Sequence, residues 1–275
     1  MKRIQVPILF LLALVLLSAC RNGATNGGDG VDSDSVPTDT GLSLLPPDTI
    51  NNEKTDASFD DFLYNFMRNA DFQLSRTKFP LEHIVDGKRS TIEKAAWHHK
   101  ALHASEPIVT MLFTSRRAMA SEKDTSLTSI QVERIDLTKS RFQQYSFQRI
   151  RRHWQLTQLA EGSLSANANA DFYTFYARFA KSPRFQQQHI ANPFEFRTYD
   201  SDSFEPIEGL LDPAQWADFK PSLPTGVITN INFAQHYADQ RERVMVITAT
   251  ADGLSSTLCF SHQRKTWVLT RLENV

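Results

Sequence analysis

The sequence predicts an α+β fold of two tandem modules, each with N-terminal helices packed on a curved antiparallel sheet. The first observation is a repeat at a constant spacing of 113 residues. Near the start of each copy, Phe59, Phe62, Phe66, Phe72, Gln73 and Pro80 recur as Phe172, Phe175, Phe179, Phe185, Gln186 and Pro193. Near the end, Phe147, Arg151, Trp154, Leu156, Thr157 and Leu159 recur as Phe260, Arg264, Trp267, Leu269, Thr270 and Leu272. The second observation is that helical periodicity opens each copy and strand-like alternation follows it. We therefore expect modules at 58–162 and 170–275, separated by small polar residues.

Residues 1–19 are typical of a signal peptide. Lys2 and Arg3 give a positive start, and the apolar run at 8–17 is too short for a transmembrane helix. The stretch at 17–20, Leu-Ser-Ala-Cys, resembles the lipobox of bacterial lipoproteins. That resemblance implies that Cys20 becomes the acylated N-terminus, carrying palmitate or a similar chain, and that the membrane is a partner through this anchor. The alternative is an ordinary secretory signal with an incidental cysteine.

The segment 20–57 is predicted to be a disordered tether. Asn, Gly, Asp, Ser, Thr and Pro dominate it, and such a composition buries too little apolar surface to offset its ordering entropy. Arg21 rather than aspartate follows Cys20, which by the usual rule for such lipoproteins favours the outer membrane. Its periplasmic face and the cell surface both remain open, and an acidic export tag is a second interpretation of the tether.

Phenylalanine spacing predicts the helices. Phe59, Phe62 and Phe66 follow the pattern i, i+3, i+7, which places three rings on one helix face, and Ser58 is the expected N-cap. A second short helix should carry Phe72 and end at Pro80, with an equivalent helix ending at Pro193. The capping-box pattern at 90–93 predicts a third helix through about residue 102. Its counterpart in the second copy is expected near 213–216.

Alternating apolar residues predict antiparallel strands in the rest of each copy. The expected strands are 107–114, 129–137, 142–150 and 153–159 in the first copy, and 227–237, 243–251, 255–261 and 266–272 in the second.

This order of elements, ending in Trp-x-Leu-Thr-x-Leu, resembles the nuclear transport factor 2-like (cystatin-like) fold. The blocks 62–81 and 154–159 also resemble a family of uncharacterised lipoproteins from Gram-negative anaerobes. The resemblance implies a cone-shaped module with a pocket, and, because such modules often pair through their sheets, an intramolecular pseudo-dimer. The fold hosts isomerases, dehydratases, transport factors and binding modules, so it implies no particular activity.

Three groups of residues are candidates for chemistry. His99 and His103, with His98 beside them, would share a helix face and could hold a metal or form an acid/base pair, although a solvated face is the simpler interpretation. Cys259 is expected to be a buried inert thiol, with a nucleophile near His262 as the alternative. The basic runs 149–152 and 263–265 are expected to be solvated turns or contacts for an anionic glycan or lipid headgroup.

The predicted function is non-enzymatic binding of a small ligand, glycan or envelope protein at the cell envelope. The chain has 30 basic and 31 acidic residues, so it carries no electrostatic footprint for nucleic acid. No phosphate loop, Rossmann fingerprint, nucleophile elbow or His-Glu-x-x-His motif is present, and no cofactor or metal is predicted. One alternative is an acid/base enzyme of the isomerase or dehydratase type, with Glu82 and His83, or Glu195, in a cone pocket. The other is a structural subunit of an envelope complex.

Overall fold

The computed structural model describes residues 55–275 apart from 104, 201 and 239. The predicted signal peptide, Cys20 and nearly all of the predicted tether lie outside the described residues. The described residues belong to one compact unit. None of its helices has the length and apolar character needed to cross a membrane.

Two helix pairs carry the repeated phenylalanines. Helices α1 (Phe59–Arg68) and α2 (Ala70–Ser75) open the first half of the chain, 58–162. Helices α3 (Ala170–Lys181) and α4 (Pro183–Gln188) open the second half, 170–275. The Ser58 hydroxyl accepts a hydrogen bond from the Asp61 amide at 3.1 Å, so the predicted N-cap of α1 is confirmed.

The third helix predicted for the first half is wrong. Residues 90–92 lie in a strand, where the Ser90 hydroxyl donates to the His83 carbonyl at 3.2 Å instead of capping a helix. Only a short 3₁₀ turn, Lys94–Ala96, follows. In the second half, Asp212 and Gln215 do form a capping box, which leads through the 3₁₀ turn Pro213–Gln215 into the short helix α5 (Trp216–Phe219).

The structure describes twelve strands, six from each half. Those of the first half are β1 (Thr77–Val85), β2 (Lys88–Ile92), β3 (Ile108–Phe113), β4 (Ser129–Asp136), β5 (Arg141–Ile150) and β6 (His153–Ser163). Those of the second half are β7 (Ile190–Tyr199), β8 (Pro206–Leu211), β9 (Val227–Asn232), β10 (Glu242–Ala249), β11 (Ser255–Gln263) and β12 (Thr266–Asn274).

Strands β1, β2, β7 and β8 are absent from the sequence prediction. Pro80 and Pro193 were expected to end helices but lie inside β1 and β7. Each proline falls where the ladder with the neighbouring strand shifts register, so its missing N–H breaks no regular pairing.

The sheets are mixed, which corrects the expectation of antiparallel sheets. One sheet has the order β2-β1-β6-β5-β4-β9 and the other β3-β10-β11-β12-β7-β8. Strand β1 runs parallel to β6, and β7 runs parallel to β12. Each sheet takes one edge strand from the other half of the chain, since β9 pairs with β4 and β3 pairs with β10.

The exchanged strands β3 and β9 are joined by a reciprocal set of hydrogen bonds. The Thr110 amide donates to the Thr229 hydroxyl at 2.7 Å, and the Thr229 amide donates to the Thr110 hydroxyl at 3.0 Å. Each hydroxyl donates in turn to the other residue's carbonyl. The two halves are therefore connected through buried side chains as well as through the sheets.

Each half has its own aromatic core. Phe147 lies edge-on to the rings of Phe59, Phe62 and Phe66, with centroid distances of 5.1–5.6 Å. Phe260 makes the same contacts with the equivalent phenylalanines Phe172, Phe175 and Phe179. These edge-to-face pairs add about 0.5–1.5 kcal/mol each beyond area burial. The repeated aromatic residues therefore form the core.

Candidate functional site

Four side chains on the core-facing side of the first-half sheet form a polar cluster. Side chains alternate along a strand, so His83 lies on the same side of β1 as the buried Leu81. The others are Gln143 and Tyr145 of β5 and Glu161 of β6. We call these four residues the His83–Glu161 cluster.

Glu161 is hydrogen-bonded to two of the other members, and its charge acts on Tyr145. His83 Nε2 lies 3.1 Å from Glu161 Oε1, and Gln143 Nε2 donates to Glu161 Oε2 at 3.0 Å. The His83 and Glu161 side chains are only 21% and 30% exposed. Burial alone would raise the pKa of Glu161, but hydrogen bonds from Gln143 and His83 and the positive charge of Lys100 lower it. Burial and the Glu161 charge raise the pKa of Tyr145 to about 12. Glu161 is therefore a fixed carboxylate at neutral pH.

The segment that includes residues 97–103 packs on the first-half core through Trp97 and Leu102, and the charge of its Lys100 acts on Glu161. Gln73 is fully buried and attaches this segment to α1, because its amide group hydrogen-bonds to both the carbonyl and the amide of Lys100 at 2.9 and 2.7 Å. The Gln73 amide also donates to the Phe66 carbonyl at 2.8 Å. Within the described residues, Trp97 Nε1 and His103 Nδ1 are buried without a hydrogen-bond partner. Unsatisfied buried polar atoms are uncommon and mark a place for water or a ligand.

The equivalent positions of the second half are occupied differently. Adding 113 to each residue number of the cluster gives the equivalent residues of the second half, which are Phe196, Ser256, Leu258 and Asn274. The Phe196 ring packs 4.9 Å from that of Phe219, and the Ser256 hydroxyl donates to Asn274 at 2.8 Å. None of these four side chains is ionisable, so at these positions only the first half has titratable groups.

Glu82 and Glu195, the acids named from the sequence, do not lie in this cluster. Glu82 accepts from Gln158 at 2.9 Å and pairs with Arg89 at 3.1 Å, with its side chain 37% exposed. Glu195 pairs with Arg271 at 2.6 Å and is 58% exposed. His83 is in the cluster, but its partner is Glu161, which the sequence reasoning missed.

The histidine group is not a helix face. His98, His99 and His103 lie in an irregular segment, so the i, i+4 argument for a metal site or acid/base pair is wrong. Among the described residues, no group of three or more His, Cys, Asp or Glu could hold a metal ion.

Cys259 lines a cleft of about 200 Å³ together with Arg116 and Arg271. Burial raises the pKa of its thiol, even though the Arg116 guanidinium opposes the shift, so the thiol stays protonated at neutral pH. His262 packs instead against the Trp267 ring, with centroids 5.0 Å apart. A protonated thiol favours the inert interpretation.

Asp56 is a second polar site that the sequence reasoning missed. It falls inside the segment predicted as tether, yet it is 4% exposed. Its carboxylate accepts from Arg76 at 2.7 Å, His153 Nδ1 at 2.8 Å and the Trp154 amide at 2.9 Å. Arg149 of the first basic run donates to the Asp56 carbonyl at 2.9 Å. This basic run therefore contributes to holding the chain segment before α1.

A cavity of about 300 Å³ lies beside the start of α1. Ile130, Trp154 and Phe233 contribute apolar lining, and Asp60 and Glu122 contribute carboxylates. Burial raises the pKa of both carboxyls, with added repulsion from Asp61 on Asp60 and from Asp60 on Glu122. The cavity is a second place where a small molecule could be held.

Comparison with known proteins identifies the family to which this chain is related. The family described as Domain of unknown function (DUF4348) matches residues 42–274. The chain is also similar to a crystal structure of an NTF2-like protein from Bacteroides fragilis, with 35% identity and a TM-score of 0.73, over 81% of this chain and 97% of that one. A search of curated proteins found no match. The α+β class and the nuclear transport factor 2-like resemblance are thus confirmed. The chain belongs to the NTF2-like family of the Domain of unknown function DUF4348.

Proposed function

We propose that this protein is a lipid-anchored envelope protein whose first half binds a small polar ligand without catalysing a reaction. In this proposal the two halves are tandem modules that act as an intramolecular pseudo-dimer. The repeat of 113 residues and the reciprocal exchange of β3 and β9 support that arrangement.

The observation that carries the ligand proposal is the one-sided placement of ionisable groups. The first half has His83 and Glu161 on its core-facing side, whereas the equivalent positions of the second half hold Phe196 and Asn274. The first half thus has a fixed carboxylate and, in the segment held by Gln73, unpartnered indole and imidazole nitrogens. These groups suit a ligand that has both an amine and hydroxyl groups. Binding is favoured over proton transfer because the lowered pKa of Glu161 is far from the neutral range in which a general base works best.

We expect Glu161→Gln to reduce ligand retention about tenfold or more, since a charge-assisted contact is worth roughly 1.5–3 kcal/mol. The full-length chain would be purified in neutral detergent, and small molecules released by heat would be identified by mass spectrometry. Glu82→Gln is the matched control, because Glu82 is the neighbour of His83 on β1 and makes its contacts outside the cluster. Equal retention by both variants would contradict the proposal.

The same preparation separates binding from catalysis. Incubating the released molecule with fresh wild-type protein should return it unchanged. Its conversion by the wild type, with loss of conversion in Glu161→Gln, would favour the acid/base enzyme, for which the histidine–carboxylate pair of His83 and Glu161 is the supporting observation.

The anchor is tested separately. We expect Cys20→Ser to abolish incorporation of labelled palmitate and to move the protein out of the membrane fraction, because the thiol is the proposed acylation site. Cys259→Ser is the control and should leave both properties unchanged. Labelling of Cys20→Ser at the wild-type level would show that Cys20 is not the anchor.

A further inference from the structure

A cleft of about 240 Å³ lies between the helices of the second half and the turn that joins β11 to β12. Its lining includes Arg178 from α3, Phe185 from α4, His189, and Lys265 from the turn. We infer that this cleft binds the phosphate group of a small phosphoester or of a lipid headgroup. The inference is independent of the His83–Glu161 cluster, which belongs to the other half of the chain.

Arg178 is positioned by ring contacts rather than by hydrogen bonds. Its guanidinium carbon lies 4.3 Å from the centroid of the Phe185 ring, and that ring stacks on His189 with centroids 3.8 Å apart. In the described part of the chain, the guanidinium has no hydrogen-bond or ion-pair partner. A stacked guanidinium keeps its N–H edge free, and this edge matches two oxygens of a phosphate.

Lys265 supplies a second cation at the same cleft. It follows Arg264, whose φ of 56° places the backbone in a tight turn. Among the described residues, its ammonium group has no carboxylate within ion-pair distance. His262 and the hydroxyl-bearing Thr266 lie beside it on the lining. A point charge from lysine and a fork from arginine are the combination that proteins use for phosphate.

The carboxylate at this cleft, Asp171, already has partners. It accepts a hydrogen bond from Trp267 Nε1 at 3.2 Å, and its charge interacts with Arg243, which is 2% exposed. Arg243 thus offsets the negative charge of Asp171. The two exposed cations, Arg178 and Lys265, consequently keep the cleft attractive to an anion.

The first half shows what a neutralised version of this cleft looks like. There, a shallow cleft of about 320 Å³ is lined by Ser75, Arg76, His153 and Gln155, and Arg76 pairs with Asp56. The residue 113 positions after Asp56 is Asn169, which accepts from Arg243 at 2.9 Å. An amide has therefore replaced the carboxylate. Lys265 corresponds to Arg152 of the first half, but Arg178 corresponds to Asn65, so only the second half brings two such cations to this place.

The size of the cleft limits the ligand. About 240 Å³ is below the range of drug-sized ligand sites, roughly 300–1,000 Å³, and suits one phosphate with a short substituent. Glycerol 3-phosphate and inorganic phosphate represent the soluble source of this chemistry. Dihexanoyl phosphatidylglycerol, which is water-soluble, represents the lipid headgroup.

The test is calorimetric titration of the full-length chain in neutral detergent with these three probes. We expect binding that weakens at least tenfold in the double variant Arg178→Gln/Lys265→Gln. The control is Arg68→Gln/Arg152→Gln, which removes two cations from the first half, Arg152 being the residue 113 positions before Lys265. Near-ultraviolet circular dichroism checks that both variants fold like the wild type.

The outcomes are distinct. Tighter binding of glycerol 3-phosphate assigns a soluble phosphoester, and tighter binding of the lipid assigns a headgroup. Absence of heat for all three probes, or equal weakening by the two double variants, would overturn the inference. Neither result would affect the Glu161→Gln experiment.

Discussion

Asp56→Ala is expected to lower the free energy of unfolding by about 3–5 kcal/mol, the cost of leaving a buried charge without its partner. The Asp56 and Arg76 side chains are only 5% and 8% exposed, and their closest atoms are 2.7 Å apart. Without the carboxylate, the Arg76 charge remains buried and the Trp154 amide loses its acceptor. Urea unfolding followed by tryptophan fluorescence measures the difference. Asp218→Ala, at an exposed acid, should change stability by less than about 0.5 kcal/mol.

The contribution of Asp56 to the free energy of unfolding should decrease as the solution becomes acidic. Burial acts to raise the pKa of Asp56, but hydrogen bonds from His153, Arg76 and the Trp154 amide lower it below its ordinary value of 3.8. A carboxyl with a lowered pKa stabilises the folded state above pH 3.8 and loses that contribution as the pH falls through the folded pKa. The difference between wild type and Asp56→Ala should be present at pH 5 and shrink below about pH 4. A constant difference down to pH 2 would contradict this account.

Glu133→Ala should cost about 3 kcal/mol or more, because the buried amides of Asn167 and Asn230 and the half-buried amide of Gln144 would lose an acceptor, at about 1–3 kcal/mol for each buried group. Glu133 is 3% exposed. It accepts from Asn167 at 2.8 Å, Gln144 at 3.1 Å and Asn230 at 2.9 Å. These donors lie in the linker, the first half and the second half, so the carboxylate connects the two halves.

Hydrogen exchange can localise the effect of Glu133→Ala. The side chain of Asn230 also accepts from the Leu112 amide at 2.9 Å, so loss of Glu133 should loosen the crossing of β3 and β9. We expect the Thr110 and Thr229 amides to exchange faster in the variant. Glu93→Ala, at an exposed glutamate, is the control. Unchanged protection of these amides with unchanged stability would mean that Glu133 does not hold the halves together.

Helix faces and core rings were predictable because their signal is local. Phe59, Phe62 and Phe66 lie within eight residues, and any helix over them places the rings on one face. The strands near the end of each half were predicted for the same reason, since alternation over a few residues reveals which side is buried. Strand β2 has no such alternation, because four of its five residues are exposed.

The sequence pattern did not identify Glu161 as a core-facing residue, because the pairing of β5 with β6 contains a local irregularity. The ladder between β5 and β6 shifts register after Leu156, so the buried set changes from Trp154 and Leu156 to Leu159. A strict alternation counted from Trp154 would place Glu161 on the wrong side. The predicted strand also ended at residue 159, before the cluster begins.

The sequence by itself determined the repeat, the α+β class, the helix faces and the identity of the core rings, because each depends on periodicity within a short window or on self-similarity. Only the tertiary structure decided the parallel pairs, the exchange of β3 and β9, and the partners of His83 and Asp56. These contacts join residues far apart in the chain: 78 positions for His83 and Glu161, 97 for Asp56 and His153, and 119 for Thr110 and Thr229. No local pattern encodes such pairings, since they are selected by which polar groups find partners when distant strands pack together.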